Sequence, residues 1–241
     1  MKLDKELFHP IHPHHKLEVH CTETPFSCDG CKEAGIGLKY KCRDCDFDPH
    51  KVCTMAVPTT THPFYKKCDF QFCFKPPGNV MRVCDACGKD VLGFVYHCKG
   101  CGFDLHPCCA NLPYKLNDGD RGLYLSAKLS SPCEKCGGKG LGWSYRSECK
   151  SYNLHVSCVK ELLVEKWHAM SLNADSNQMR EIQTKIPSLR GAMEEQHNKR
   201  KVGKAHKYCQ IAGGAVKVIV AAVLGDPTAI IAGVVQGIIA K

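Results

Sequence analysis

A framework of cysteines and histidines recurs along this chain at fixed spacing, and it limits what the chain can fold into more than any other feature. Eighteen of the nineteen cysteines fall between Cys21 and Cys158. Cys-x2-Cys pairs open three copies of one unit, at Cys28/Cys31, Cys84/Cys87 and Cys133/Cys136. Six residues after each pair comes a glycine (Gly37, Gly93, Gly142), and three residues later a tyrosine (Tyr40, Tyr96, Tyr145). Each copy closes on His-x2-Cys: His50/Cys53, His106/Cys109 and His155/Cys158. Copies one and two carry a second pair between these marks, Cys42/Cys45 and Cys98/Cys101. A Cys-x2-Cys knuckle aims two sulfurs at one point, and His-x2-Cys puts two donors on one helical turn, so the pattern is that of tetrahedral metal ligation. The glycine suits a turn or a close backbone approach, and "GLKYKC" and "GFVYHC" read as short strands entering the second knuckle.

The odd cysteine count and an N-terminus, "MKLDKELFHPIHPHH", without an apolar h-region favour thiolates on metal in a reducing compartment over disulfides. The formal net charge is +9, but every site with three thiolates on a dication subtracts about one unit, which weakens a nucleic-acid reading based on charge alone. Units of about fifty residues bury too little apolar surface to fold securely alone, and zinc would supply what the core lacks.

The third copy indicates how ligands pair. It has Ser147 and Lys150 where the others have the second knuckle, with Cys149 out of register, yet it keeps Cys133, Cys136, His155 and Cys158. Retention of those four together implies that the first knuckle shares a metal with His-x2-Cys. By the same rule Cys28, Cys31, His50 and Cys53 form one site, and Cys84, Cys87, His106 and Cys109 another. Cys42 and Cys45 then need two further donors, and counting along the chain assigns His15 and His62. For Cys98 and Cys101 the completing residues stay open among Cys68, Cys73 and Asp118. About five zinc ions are expected.

An upstream histidine followed by crossed C-x2-C, C-x2-C and H-x2-C pairs resembles the C1 zinc finger. The words "PFSCDGC", "CDFDPH" and "YHCKGCGFDLH" make the chain similar to the divergent C1 (DC1) domains of plant cysteine/histidine-rich proteins. The resemblance covers roughly residues 9 to 160. It implies a small zinc-scaffolded α+β fold and an intracellular, cytoplasmic adaptor in signalling or stress responses, with the modules binding protein or membrane. Diacylglycerol is not the expected ligand, because the gap between knuckles is ten residues in copies one and two and lacks the Gln-Gly of lipid-binding C1 domains. A PHD-like histone-tail reader or a zinc-finger nucleic-acid binder is the alternative. No enzyme is expected.

The expected domains are residues 9–57, 58–113 and a degenerate 114–160, then a polar helical linker over 161–207 and an apolar glycine-containing tail over 208–241. In the linker, "VKELLVEKWHAM" has the spacing of an amphipathic helix, and the basic run Lys199–Lys207 follows. The tail's two apolar arms, split by Asp226 and Pro227, would each span about 20 Å as helices, too short for a bilayer. A helical hairpin that lies on a membrane peripherally or self-associates through Gly233-x3-Gly237 is the expectation. The even positions of "HPFYKKCDFQFCFK" suggest one core-facing strand from His62 to Phe74, which would hold Cys68 about 20 Å from His62. Cys21, Cys108, Cys149 and Cys209 are left as buried or incidental thiols.

Overall fold

The computed structural model describes residues 5–118, 121–148, 150, 152–161 and 223. The linker and tail expected over 161–241, and Cys149, therefore lie outside the described residues apart from Glu161 and Val223. The described chain divides into two compact units between Leu112 and Pro113. Among the described residues no helix is long and apolar enough to cross a membrane.

The fold is strand-rich rather than evenly α+β. The first module has β1 (Glu6–His9), β2 (His12–Ser27) and β3 (Ala34–Cys42) in an antiparallel sheet, followed by one turn of helix, α1 (Lys51–Thr54). The second repeats this with β4 (Thr59–Thr60), β5 (Phe70–Cys73), β6 (Val95–His97), β7 (Asp104–Leu105) and α2 (Pro107–Ala110). The second compact unit is the third module: β8 (Lys115–Asp118), β9 (Arg121–Ser126), β10 (Ser144–Ser147) and β11 (Asn153–His155) in one sheet. The helices stay at one turn because each has only to bring His-x2-Cys to a knuckle, and short helices gain little from propagation.

Strand register aligns the modules residue by residue. Val19 pairs with Tyr40, Phe72 with Tyr96 and Leu125 with Tyr145. Leu17 pairs with Leu7, Phe70 with Thr60 and Leu123 with Leu116. Leu17, Phe70 and Leu123 are thus one position, and all three are buried beside a buried tyrosine. That tyrosine ties the module's entry down: Tyr96 Oη donates to the Val57 carbonyl at 3.0 Å, and Tyr145 Oη to the Pro113 carbonyl at 2.8 Å.

The strand expected to run from His62 to Phe74 begins only at Phe70. Pro63 has no N–H to give a ladder, and the chain turns back twice before Phe70: Tyr65 N–H donates to the His62 carbonyl at 2.9 Å and Cys68 N–H to the Tyr65 carbonyl at 3.0 Å. The estimate that separated His62 from Cys68 by a straight strand therefore does not apply.

The shared glycine serves two different needs. Gly37 and Gly142 have φ of 90° and 109°, open only to a residue without Cβ. Gly93 is instead pressed against the first module: a Cβ there would lie 2.1 Å from the Gly30 carbonyl oxygen, which accepts a 2.9 Å bond from Phe94 N–H. Phe94 in turn stacks on His9 with centroids 5.8 Å apart. Modules one and two are consequently joined backbone to backbone.

Gly93→Ala should cost about 1–3 kcal/mol in chemical denaturation, as overpacking of a tight contact does. Gly140→Ala, whose Cβ would meet nothing, should stay within about 0.5 kcal/mol of wild type.

Candidate metal centres

Each first knuckle is built by the same local bonds. The residue after its second cysteine donates N–H back to the first cysteine's carbonyl: Lys32 to Cys28 at 2.8 Å, Gly88 to Cys84 at 2.6 Å and Gly137 to Cys133 at 2.8 Å. These residues sit at positive φ, where glycine is at ease; Lys32 at 64° has a side chain there nonetheless. The residue inside the knuckle fastens it to the residue two before the histidine: Asp85 Oδ2 accepts from Asp104 N–H at 2.7 Å, and Asp29 Oδ2 from Asp48 N–H at 2.9 Å.

Three four-donor clusters result, at Cys28/Cys31/His50/Cys53, Cys84/Cys87/His106/Cys109 and Cys133/Cys136/His155/Cys158, with all donor atoms within 4.8 Å of one another. The imidazole presents Nδ1 in every case. His50 Nδ1 is 3.4 Å from Cys31 Sγ and 3.8 Å from Cys53 Sγ. His106 Nδ1 is 3.4 and 4.0 Å from Cys87 and Cys109, and His155 Nδ1 is 3.4 and 3.7 Å from Cys136 and Cys158. A tetrahedral zinc with Zn–S about 2.3 Å and Zn–N about 2.0 Å would place such atoms about 3.5 Å apart. The donor type and the spacing both suit zinc.

Secondary contacts suit it too. Backbone N–H groups point at the first sulfur of each set, from His50 to Cys28 at 3.1 Å and from His106 to Cys84 at 3.4 Å. His106 Nε2 meets the Asp90 carbonyl at 3.1 Å and Glu33 Oε1 of the first module at 3.5 Å, which puts the ring proton on Nε2 and turns Nδ1 to the sulfurs. In the third set, the hydrogen bond from Cys158 holds the Cys133 thiol down to about 4 against the opposing effect of burial, and the same contact pushes Cys158 up. Sulfurs crowded this closely share protons until a cation replaces them.

The second knuckles need donors from the preceding strand. His12, His15, Cys42 and Cys45 converge, with Cys45 Sγ 3.4 Å from His12 Nε2 and 3.6 Å from His15 Nδ1. His15 thus stands with the expected pair, but His62 does not; His12 occupies the fourth corner. His62 is the register equivalent of His9. Both precede proline, and each Nδ1 accepts a backbone N–H two residues on: Ile11 to His9 at 3.4 Å, Phe64 to His62 at 3.3 Å. Burial pulls the pKa of both down, His62 to about 4. They pack the modules.

In the second module Cys98 and Cys101 are joined by Cys68. Of the three residues left open by the sequence, Cys68 is in that cluster and Cys73 is not, and the Asp118 side chain lies outside the described residues. Register explains Cys68: two residues before Phe70, it takes the place His15 holds two before Leu17. His15 and Cys68 carry a shared signal in the sequence, their distance of two residues from the apolar residue opposite the second knuckle, but only pairing reveals which apolar residue that is.

In the third module the second knuckle survives as a hairpin that, among the described residues, brings no metal donors together. Ser147 N–H donates to the Tyr152 carbonyl at 3.0 Å, as Cys42 does to Phe47 and Cys98 to Phe103, while Tyr152 N–H donates to Ser147 Oγ at 3.2 Å. The serine hydroxyl ties the turn that metal would otherwise tie, and buried Trp143, Leu123 and Leu125 add apolar packing. Among the described residues no cysteine is in a disulfide.

Removing Cys133 as serine should release one zinc and unfold the third module, since structural zinc contributes roughly 10–16 kcal/mol in finger peptides. His62→Ala should leave the metal count unchanged; metal analysis of both variants checks this, and a zinc lost from His62→Ala would contradict the placement of His12.

Comparison with known proteins agrees with this geometry. A C1-domain family model matches residues 10–54, the first module and its two metal clusters. "Probable nucleoredoxin 1" of Arabidopsis thaliana is 37% identical over 55 residues, which span 23% of this chain and 9% of that protein. No solved structure matches the chain. Over residues 10–54 the chain is therefore similar to the C1-domain family, in its C1-like (DC1) form.

Proposed function

We propose that this chain is an intracellular, zinc-scaffolded adaptor in signalling that binds a protein partner, with zinc at five sites. The observation that supports it best lies in the first-knuckle clusters. Each gathers four protein donors, the closed shell of a structural rather than a catalytic zinc, and so supports a binding role over an enzymatic one.

What a partner would meet is on the second module. Residues 80–83 and 90–92 run side by side through the Val83–Asp90 bridge and the Val91 N–H bond to the Arg82 carbonyl at 2.9 Å. They carry Val80, Met81, Val83 and Leu92 at 63%, 91%, 52% and 69% exposure. An apolar rim of this kind, on a turn anchored by a metal cluster, is a surface that gains from being covered. Arg82 does not add free charge, because its guanidinium pairs with Asp104 at 2.8 Å. An apolar rim whose cation is paired and whose exposed charge is the Asp90 carboxylate favours a protein partner over nucleic acid or an anionic bilayer. A peripheral membrane role, or self-association, through residues 208–241 is the second reading, carried by their apolar composition.

Met81→Ser combined with Leu92→Ser should abolish partner capture by the full chain while leaving the zinc count and denaturation midpoint unchanged. Deletion of residues 208–241 should spare capture. Capture untouched by the double variant but lost with the deletion, together with lost co-sedimentation on anionic vesicles, would move the function to the tail.

A further inference from the structure

The second knuckle of module two differs from its counterpart in module one at two corners, with Cys68 in the place of His15 and no donor from the described residues in the place of His12. In module one His15, Cys42, Cys45 and His12 close the set. In module two Cys68, Cys98 and Cys101 converge within 4.8 Å, and among the described residues no fourth His, Cys, Asp or Glu joins them. The residue in the place of His12 is Tyr65, three before Cys68 as His12 is three before His15. The ring environments correspond as well: His12 stacks on Phe47 with centroids 4.7 Å apart, and Tyr65 lies on Phe103, the equivalent phenylalanine, also at 4.7 Å. The fold thus delivers an aromatic ring to the fourth corner in both modules, with a good zinc donor on it only in the first.

His62 does not substitute. Its Nδ1 accepts the Phe64 N–H, which places the imidazole proton on Nε2 and leaves neither nitrogen with a lone pair to give. It repeats the packing role of His9. The cluster also lies at the edge of the module, with Cys101 exposed and Cys68 and Cys98 buried, so one side of the triangle of sulfurs faces solvent.

We infer that Cys68, Cys98 and Cys101 form a three-thiolate zinc site whose fourth ligand is an exchangeable external donor, water or a small anionic or nitrogen base. Three thiolates on a dication leave one net negative charge and a coordination position open to solvent, the arrangement of a site that exchanges metal rather than one that only fastens a fold. Tyr65 sets that property by withholding the nitrogen that His12 supplies. This inference rests on the zinc-site reading above, and the test separates the two.

Full-length protein loaded with zinc is mixed with excess chromophoric chelator, and release is followed in time. One zinc should leave at least about 10-fold faster than the rest, the scale on which even outer-shell changes alter metal affinity. Tyr65→His should slow that phase into the bulk, while Tyr65→Phe and His62→Ala leave it fast, and Cys68→Ser should remove that zinc from the total. In cobalt-substituted protein, imidazole or azide should shift the visible ligand-field bands of wild type but not of Tyr65→His. The slow zinc ions of the other sites report that each variant remains folded. A single slow phase in wild type, or faster release from Tyr65→Phe or His62→Ala, would overturn the open corner; protein that takes up no zinc at all would overturn the metal-site reading itself.

Discussion

Tetrahedral ligation across a fixed span of chain is the constraint from which the other features follow. In all three modules a Cys-x2-Cys knuckle and a His-x2-Cys turn, with eighteen residues between them, must meet at one point. A hairpin is the short way to return the chain. It places the tyrosine of β3, β6 or β10 on the buried face and the glycine before it where the chain bends or is crowded. In the first module the buried apolar side chains among the described residues, besides the sulfurs, are Leu17, Phe26, Ile36 and Tyr40. Such a core is too small to outweigh the chain entropy of about fifty residues without the metal.

The metal sites also bear on one another. Gly93 lies against Gly30, Glu33 reaches His106, and Cys108 contacts both Cys31 of the first set and Cys109 of the second. Cys108, an apparent leftover beside a ligand, therefore lies in the seam between two metal clusters. Modules one and two form one compact unit, and the third lies in the other. Among the described residues the third module carries one cluster, and it holds the equivalent hairpin with Ser147 and a fuller apolar core, hydrogen bonds and packing in place of a metal-tied turn.

Much of this is legible in the residues alone. The pairing of the first knuckle with His-x2-Cys follows from the third copy, because ligands that act together are kept together. His12 and Cys68 were harder to find, since the residues between upstream donor and first knuckle differ in number between copies, and only strand pairing aligns Leu17 with Phe70. His62 misleads because it has the right residue type at a plausible distance; the proline after it and its burial are what make it a packing residue. The alternation around Phe70 signalled one strand, but Pro63 and the successive turns at Tyr65 and Cys68 cut it short and brought Cys68 to the metal.

The most direct test is to strip the metal and watch the fold. Amide exchange of the full chain should show protection in the β2–β3, β5–β6 and β9–β10 pairs when zinc is bound. It should be lost from the first two modules when a chelator removes the metal, and return as zinc is added back. The third module, held by the single cluster at Cys133, Cys136, His155 and Cys158, should lose protection in β9–β10 as well. Protection in β2–β3 and β5–β6 that persists in metal-free, reduced protein would contradict the account, because the apolar residues would then hold the fold without the ligands that shape it.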